Sequence, residues 1–376
     1  MRADFEQLTR RELQVAALVA DGLSDRDVAE KLSITRRTAG WHIEQILAKL
    51  DLKSRSQIAA RVSQAEMLGF PLLTADPLRH DLPTPVAFIG WNPEVSQRYE
   101  SLTTTRWLVW PGQTETHRQE RLISLADAGY NPVIVRLTYA GALEKVAKLY
   151  PKTQFAIMDD WSVSAHNKNV TSLIFADHHG SYLVGAIAAQ ASKTGTIGFV
   201  GGVHIPLIER FQAGYVAGAR MVKPQIKVLL AYLTHPPDYS GFGAASKARV
   251  AADRMYANGA DVVYHAAGHS GSGVFQAATS AGAFAIGVDS DEYLTAPADT
   301  KGSILTSMLK RVDVAVNDYV NAYARKAPLS GVMTFDLANG GVGYSRSNPL
   351  VQPYVVATDD LREQIVAGKI CVPDKP

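Results

Sequence analysis

Residues 8–62 constrain the fold of this chain most, because their capping and turn signals divide the segment into short, closely spaced helices. Thr9 with Glu12 forms the pattern of a capping box at the start of one helix. Ser24 and Thr35 are placed to cap two further helices, since their side-chain oxygens can accept hydrogen bonds from the free amides of a first turn. The sequence therefore predicts a small all-α domain at the N-terminus.

The third predicted helix of this domain has one apolar face and one polar, basic face. Its apolar residues recur about every 3.6 positions and predict the buried face: Ala39, Ile43, Ile46, Leu47 and Leu50. The opposite face carries Arg36, Arg37 and Trp41, which suit the DNA major groove. An alternative is an ordinary amphipathic bundle whose arginines are only solvated. Caps, turns and apolar spacing agree better with a DNA-binding unit.

These residues resemble the LuxR/GerE-type helix-turn-helix family. The resemblance follows Leu8-Thr9-Arg11-Glu12, then Gly22-Ser24-Val28-Ala29-Leu32, then Thr35-Thr38-Ala39-Gly40-His42-Ile46-Lys49-Leu50. It implies that Thr38, His42 and Lys49 contact double-stranded DNA together with the exposed arginines. Gly40 replaces a lysine of the family pattern, and glycine weakens a helix by about 1 kcal/mol relative to alanine, so we expect modest DNA affinity.

Composition excludes several classes of protein. The chain of 376 residues is 47% hydrophobic and 20% charged, with a net charge of +2. This is typical of an ordinary protein with roughly two or three domains. Cys371 is the single cysteine, which excludes an internal disulfide framework. The N-terminus lacks a signal-peptide pattern and the apolar runs are shorter than the ~20 residues of a membrane span, so we expect a soluble cytoplasmic protein without a membrane partner.

A larger domain follows a linker. After a helix-turn-helix domain over residues 1–66, several prolines in residues 67–85 favour extended backbone. Over residues 86–376, short apolar runs alternate with helical patterns, which predicts βαβ units and parallel sheet. We expect an α/β domain of two lobes that divide near Ser192, with a cleft at the strands' carboxyl ends. The predicted helices cover 114–128, 140–150, 180–191, 206–221, 244–258, 273–281 and 308–326.

Several long segments of the larger domain are similar to one known family. They are GFVGGVHIPLIERFQAGYVAGAR from Gly198, GADVVYHAAGHSGSGVFQAA from Gly259, AIGVDSDEY from Ala285 and ILTSMLKRVDVAV from Ile304. These segments resemble the Bmp family of basic membrane lipoprotein-like, purine-nucleoside-binding proteins, which are relatives of type I periplasmic binding proteins. The resemblance implies a two-lobed fold of that type with parallel sheets. The loop that begins at Gly90 and residues 175–179 depart from the family pattern.

The resemblance also implies a ligand site. Asp289 and Lys310 match the family's ribose-binding pair, and a carboxylate suits this role because it can accept from both hydroxyls of a vicinal diol. Asp159 is expected to line the same cleft. The glycine turn at Gly268 is expected to admit the ligand close to the backbone.

Further candidate site residues each have more than one interpretation. Tyr264 is the candidate aromatic for stacking on a base, with Trp91 opposite, although each could be an ordinary core residue. Asp177-His178-His179 offers metal-ligating side chains, but no third ligand follows at metal spacing. We therefore expect no metal and no other cofactor.

Together these patterns predict a one-component transcriptional regulator that binds double-stranded DNA and a small ligand, a purine nucleoside. A homodimer is expected because one helix-turn-helix reads only half a site. One alternative is a nucleoside-processing hydrolase with an appended DNA-binding segment, in which Asp159 with Asp160, or Asp289 with Asp291, act as acid and base. A third possibility is a large domain that has lost ligand binding and only mediates dimers.

Overall fold

A computed structural model describes residues 8, 10–20, 23–31, 35–67, 86–89, 106–107, 114–327 and 329–376. Its contacts divide the chain into two compact units, Met1–Pro77 and Leu78–Pro376. The division falls within the segment predicted as a linker. No helix among the described residues is long and apolar enough to cross a membrane.

The first unit is helical, as predicted. Its described helices are α1 (Arg10–Ala20), α2 (Asp25–Lys31), α3 (Arg36–Lys49) and α4 (Arg55–Met67). One core joins them, and Val15, Val28, Ile46 and Ile58 are fully buried there. Of the predicted apolar face of α3, Leu47 is the exception, since it is only partly buried.

Side-chain caps explain where two of these helices begin. The Ser24 hydroxyl accepts from the Asp27 amide at 3.3 Å, while the Ser24 amide donates to the Asp27 carboxylate at 3.0 Å. This reciprocal capping box opens α2. The Thr35 hydroxyl accepts from the Thr38 amide at 3.1 Å and opens α3. Both predicted caps are confirmed, whereas Thr9 lies outside the described residues.

The second unit alternates strands and helices. Its strands are β1 (Ala87–Phe88), β2 (Arg106–Trp107), β3 (Val133–Arg136), β4 (Phe155–Met158), β5 (Val170–Phe175), β6 (Thr196–Val203), β7 (Lys227–Thr234), β8 (Val262–Ala266), β9 (Phe284–Gly287), β10 (Ile304–Lys310), β11 (Gly331–Phe335) and β12 (Val342–Tyr344). Its α-helices are α5 (Glu115–Asp127), α6 (Ala140–Leu149), α7 (Ser162–His166), α8 (Asp177–Ala191), α9 (Pro206–Val222), α10 (Ala245–Ala257), α11 (Gly271–Ala281), α12 (Glu292–Thr295), α13 (Ala298–Lys301), α14 (Val312–Ala324) and α15 (Gln352–Val366).

The strands among the described residues form two sheets of six strands each, in the orders β11-β5-β4-β3-β1-β2 and β12-β10-β9-β8-β6-β7. Every neighbouring pair is parallel except β10 with β12. The strands in the middle of each sheet are buried on both faces, as expected when helices cover a parallel sheet. The predicted two-lobed α/β architecture is confirmed.

The structure corrects two details of the predicted order. The lobes do not divide at a single point near Ser192, because β11 returns to the first sheet and β12 to the second. The helix predicted over 308–326 begins only at Val312. Met308 and Lys310 instead continue β10 because they pair with β12, a partner that follows much later in the chain. Lys310 therefore ends a strand and does not begin a helix.

Glycines allow α8 and α9 to pack with their backbones in contact. A Cβ atom at Gly218 of α9 would lie 1.9 Å from the Tyr182 carbonyl oxygen of α8, and one at Gly185 would lie 2.1 Å from the Tyr215 carbonyl oxygen. Because these neighbours are backbone atoms of two closely packed helices, they cannot move aside without displacing a helix.

We expect Gly218→Ala to lower the free energy of unfolding by about 1 to 3 kcal/mol or more, through overpacking. Gly302→Ala is the matched control, since a Cβ atom there meets nothing within 4 Å and the backbone φ is −63°. Calorimetry of the full chain would measure both variants. Equal melting temperatures for the two variants would contradict the close helix packing.

Candidate functional site

Four charged side chains meet where strands of the two sheets end. Asp159 follows β4, Asp177 follows β5, Asp289 follows β9, and Lys310 is the last residue of β10. Lys310 Nζ lies 2.7 Å from Asp159 Oδ1 and 3.3 Å from Asp177 Oδ1. The Lys310 amide also donates to the Asp289 carbonyl oxygen at 2.9 Å. We call these four residues the carboxylate–lysine cluster; it joins the carboxyl ends of the first and second sheets.

The backbone turns in the same way at two of these strand ends. Asp159 and Asp289 both have a φ of 63°, in the left-handed region that few non-glycine residues adopt. The Asp159 amide is held by the Leu173 carbonyl oxygen at 3.1 Å. Such backbone conformations persist only where the surrounding structure holds them, and they occur often in binding sites.

Lys310 carries the positive charge of the cluster. Burial alone would lower its pKa, but the carboxylates of Asp159, Asp177 and Asp289 outweigh burial and raise the pKa of Lys310 above its usual value. The ring of Phe175 lies 4.8 Å from Nζ and adds a cation–π contact. Lys310 is therefore a protonated donor.

Two of the carboxylates have unfilled acceptor positions. Burial raises the pKa of Asp177 to about 7, with Lys310 opposing that rise. Burial also raises the pKa of Asp289. Within the described structure, Asp289 Oδ1 and both oxygens of Asp177 make no hydrogen bond. Lys310 Nζ approaches Asp177 Oδ1 to 3.3 Å as an ion pair. Buried polar atoms normally have partners, so these oxygens are suited to accept from hydroxyl or amino groups of a ligand.

Neighbouring side chains position the cluster. Glu292 Oε2 accepts from the Val288 amide at 2.8 Å and lies 3.0 Å from His265 Nε2. These contacts hold the turn that carries Asp289. Arg136, at the end of β3, interacts electrostatically with Asp159 and Asp289, and burial lowers the pKa of its guanidinium.

Asp177 and Arg136 are site residues that the sequence patterns did not predict. Asp177 was considered only as a metal ligand. Both residues nevertheless carry a recognisable signal, a charged side chain at or just beyond the carboxyl end of an apolar strand. Among the described residues, no group of three or more His, Cys, Asp or Glu side chains is arranged to hold a metal ion.

The structure does not support Tyr264 as a stacking residue. Its ring is fully buried against Phe199 and Tyr215, and its hydroxyl lies 3.2 Å from the Ser181 hydroxyl. Tyr264 is therefore a core residue and not a stacking residue, because apolar side chains pack around its ring. The other candidate, Trp91, lies outside the described residues.

A different aromatic residue lies at the strand ends of the second sheet. Phe242 is partly buried, and Gly202 and Gly268 leave room for it, since a Cβ atom at Gly202 would lie 2.6 Å from the Phe242 ring. Gly268 has the positive φ, 54°, expected of a glycine turn. Phe242 is therefore the better placed candidate for stacking on a ring of a ligand.

Helix α3 presents a polar face in the first unit. Arg36, Arg37 and Trp41 are exposed, with the Trp41 ring packed edge-on to His42 at 4.9 Å. The Thr38 hydroxyl lies 2.8 Å from that of Thr35, so Thr38 takes part in the cap. The arginines and the tryptophan remain the strongest predicted DNA contacts.

Lys49 has a structural partner in the first unit. Its Nζ donates to Glu12 Oε2 at 2.8 Å, and the Glu12 side chain is almost fully buried. This ion pair joins the end of α3 to α1 and so helps to position the helix; the DNA contact of Lys49 stays a prediction. Arg55 has a similar role, since its guanidinium donates to Asp25 and to the Leu23 carbonyl oxygen.

Comparisons with known proteins match both units. The family model Bmp, described as ABC transporter substrate-binding protein PnrA-like, matches residues 96–376. The family model of bacterial regulatory proteins, luxR family, matches residues 6–62. The chain is similar to the CD4+ T-cell-stimulating antigen of Listeria monocytogenes, with 38% identity over 62% of this chain and 68% of that protein. It is also similar to the ABC transporter nucleoside-binding protein BmpA of Lactococcus lactis, with 39% identity over 62% of this chain and 68% of that protein.

Solved structures support the fold of the larger unit. An ABC transporter solute-binding protein from Aeropyrum pernix superimposes with a TM-score of 0.63 at 22% identity, covering 77% of this chain and 94% of that one. A transcriptional activator of the comK gene from Bacillus halodurans gives a TM-score of 0.61 at 21% identity, covering 74% and 96%. At such identity the likeness shows the fold alone.

Proposed function

The chain belongs to the Bmp family of ABC transporter substrate-binding protein PnrA-like proteins and carries a luxR-family helix-turn-helix, and on this basis we propose that it is a one-component transcriptional regulator. Its large unit binds a small ligand, a purine nucleoside, and its first unit binds double-stranded DNA. The observation that carries the proposal is the presence of both units in one chain, each with its own site. Such a regulator acts in the cytoplasm as a homodimer.

The carboxylate–lysine cluster favours a ligand rich in hydrogen-bond donors. Asp289 and Asp177 have open acceptor positions, and a ribose diol can fill those of Asp289. Lys310 is a charged donor beside them. Phe242 lies beside the ends of β6 and β8 of the second sheet and supplies an aromatic surface of the kind that a purine base stacks on. A nucleoside satisfies these features together.

The cluster is less suited to hydrolysis. Three of the carboxylates predicted as acids and bases have structural partners: Lys310 Nζ donates to Asp159 Oδ1 at 2.7 Å, the Ser162 amide donates to Asp160 Oδ1 at 2.8 Å, and the Ser347 hydroxyl donates to Asp291. The relatives named above are described as an antigen and a nucleoside-binding protein. Chromatography after incubation of the full chain with adenosine, guanosine and inosine separates the alternatives. A binding protein leaves each nucleoside intact, whereas a hydrolase releases free base.

DNA binding is expected to depend on Arg36 and Arg37. Arg37→Ala should weaken binding by about 1 to 3 kcal/mol if the side chain pairs with a guanine, or reduce the salt slope by about one if it contacts phosphate. Fluorescence anisotropy with DNA selected from a random pool measures both quantities. Arg325→Ala, an exposed arginine of the second unit, is the matched control. Unchanged affinity and unchanged salt slope for the Arg36/Arg37 double substitution would reject α3 as the recognition helix.

Ligand is expected to change DNA affinity by about 1 to 3 kcal/mol, a typical coupling between sites. By linkage, DNA must change nucleoside affinity by the same factor. Anisotropy with and without saturating nucleoside, and calorimetry with and without DNA, measure the two factors. If a nucleoside binds but neither factor differs from one, the two units are independent and the chain is not a ligand-responsive regulator.

A further inference from the structure

Strand β7 forms one open edge of the second sheet. It is eight residues long and pairs only with β6 in the part of the chain that the structure describes. The other edge of this sheet, β12, is three residues long. An open edge offers a row of unpaired backbone donors and acceptors to another strand.

Beyond Lys227 at its start, β7 carries none of the usual protective features of an edge strand. After Lys227 the strand reads VLLAYLT, with no charge, proline or glycine. Proteins normally block an exposed edge with charged residues, proline or bulges, because an unprotected apolar edge pairs with other chains. Leu230 is 48% exposed in the middle of this strand. Met221 at the end of α9 and Val250 on α10 are also exposed. Apolar surface therefore lies at the edge itself and on the helices that cover the two faces of the sheet.

The backbone N–H and C=O groups of successive β7 residues point alternately towards β6 and towards the open edge. The Lys227 amide donates to the Gly195 carbonyl oxygen, which leads into β6, at 2.9 Å. Because consecutive residues of a strand direct their backbone groups to opposite sides, Val228, Leu230 and Tyr232 direct theirs away from β6. These residues are separated by two positions, which is the spacing that an added strand requires.

We propose that β7 pairs antiparallel with β7 of a second copy of this chain and so forms the core of a twofold dimer. The inference rests on the proposed function, since two helix-turn-helix units are needed to read an operator. In a twofold pairing centred on Leu230, this residue faces its own counterpart, and Val228 faces Tyr232 of the second copy. The two second sheets then continue as one sheet through the dimer.

The charges at the ends of β7 favour the antiparallel direction. Lys227 is exposed at the start of the strand, and Asp238 is exposed just after its end. Hydrogen bonds from Ser240 hold the pKa of Asp238 below its usual value, so this side chain is ionised. In the antiparallel register centred on Leu230, Lys227 faces Leu233 of the second copy, so the cationic start of each β7 lies beside the end of the other β7 that leads into Asp238. Parallel pairing would bring like charges together.

A second open edge supplies a matched control. Strand β11 at the edge of the first sheet is five residues long, and its Val332 is 54% exposed. Val332→Lys and Leu230→Lys thus place the same charge at equally exposed apolar positions of two different edges. In the proposed pairing only Leu230→Lys puts two like charges opposite each other, which destabilises a strand pair.

Sedimentation equilibrium of the full chain tests the proposal. We expect a dimer for the wild type and for Val332→Lys, and for Leu230→Lys a dimer dissociation constant raised at least about tenfold, by like-charge repulsion at the twofold axis. Melting temperatures, measured at a concentration where the wild type is monomeric, should agree for all three proteins. A dimer that Leu230→Lys leaves unchanged overturns the β7 interface but not the regulator, whereas a wild type that stays monomeric overturns both the interface and the homodimer of the proposed function.

Cross-linking tests the register. Leu230→Cys in a Cys371→Ser background should form an intermolecular disulfide under mild oxidation, because a residue at the twofold axis lies opposite itself within about 5.5 Å between Cα atoms. Val332→Cys in the same background is the control and should remain unlinked. Equal cross-linking of both variants, or of neither, overturns the pairing centred on Leu230.

Discussion

Replacing Lys310 with methionine is expected to lower the free energy of unfolding of the larger unit by about 3 to 5 kcal/mol at pH 8, the usual cost of removing one partner from a buried ion pair. Methionine has similar length and fills the same space, so the change isolates the lost charge. Asp159 and Asp177, whose side chains are almost fully buried, would lose the cation that lies 2.7 Å and 3.3 Å away. Calorimetry of the full chain follows the melting transition of this unit.

The destabilisation is expected to shrink as the pH falls. Lys310 lowers the pKa of Asp177 and Asp289, so without it both carboxyl groups take up protons at higher pH than in the wild type. A protonated carboxyl group no longer needs the cation, and the difference between variant and wild type should therefore be smaller at pH 5 than at pH 8. Lys145→Met is the control, because this lysine is 63% exposed and lies 3.9 Å from Glu115. Equal losses at both pH values would reject charge compensation as the role of Lys310.

Asp289→Asn is expected to weaken nucleoside binding roughly ten- to hundredfold, since a hydrogen bond to a charged group contributes about 1.5 to 3 kcal/mol. Asparagine keeps the shape of the side chain, and Asp289 Oδ1 makes no hydrogen bond in the described structure, so the folded state should persist. Calorimetry with adenosine, guanosine and inosine measures the loss. Binding of the 2′-deoxy forms to the wild type should be weakened as well, because they lack one hydroxyl of the diol.

Asp253→Asn is the control for this measurement, since Asp253 is an exposed residue of α10. Two results together would reject the ribose assignment. One is that Asp289→Asn binds nucleosides with the same affinity as the wild type. The other is that the wild type binds ribo and 2′-deoxy nucleosides with equal affinity.

Much of the fold could be predicted because it depends on residues that are near each other in the chain. The caps at Ser24 and Thr35 act within one turn of their own helices, and the structure confirms both. The alternation of apolar runs and helical patterns likewise predicts parallel strands, because each βαβ unit is continuous in the chain. The prediction was wrong where a partner lies far away, as in residues 308–310, which continue β10 through their pairing with β12.

By itself, the sequence determined the helical first unit, the two-lobed α/β second unit and the strand-end positions of Asp159 and Asp289, because capping, periodicity and the placement of charges after strands are local properties. The resemblance carried by its motifs indicated both families. Only the tertiary structure decided which side chains meet. It added Asp177 to the cluster, buried Tyr264 in the core and paired Lys49 with Glu12. These outcomes depend on close packing between segments far apart in the chain, which no local pattern records.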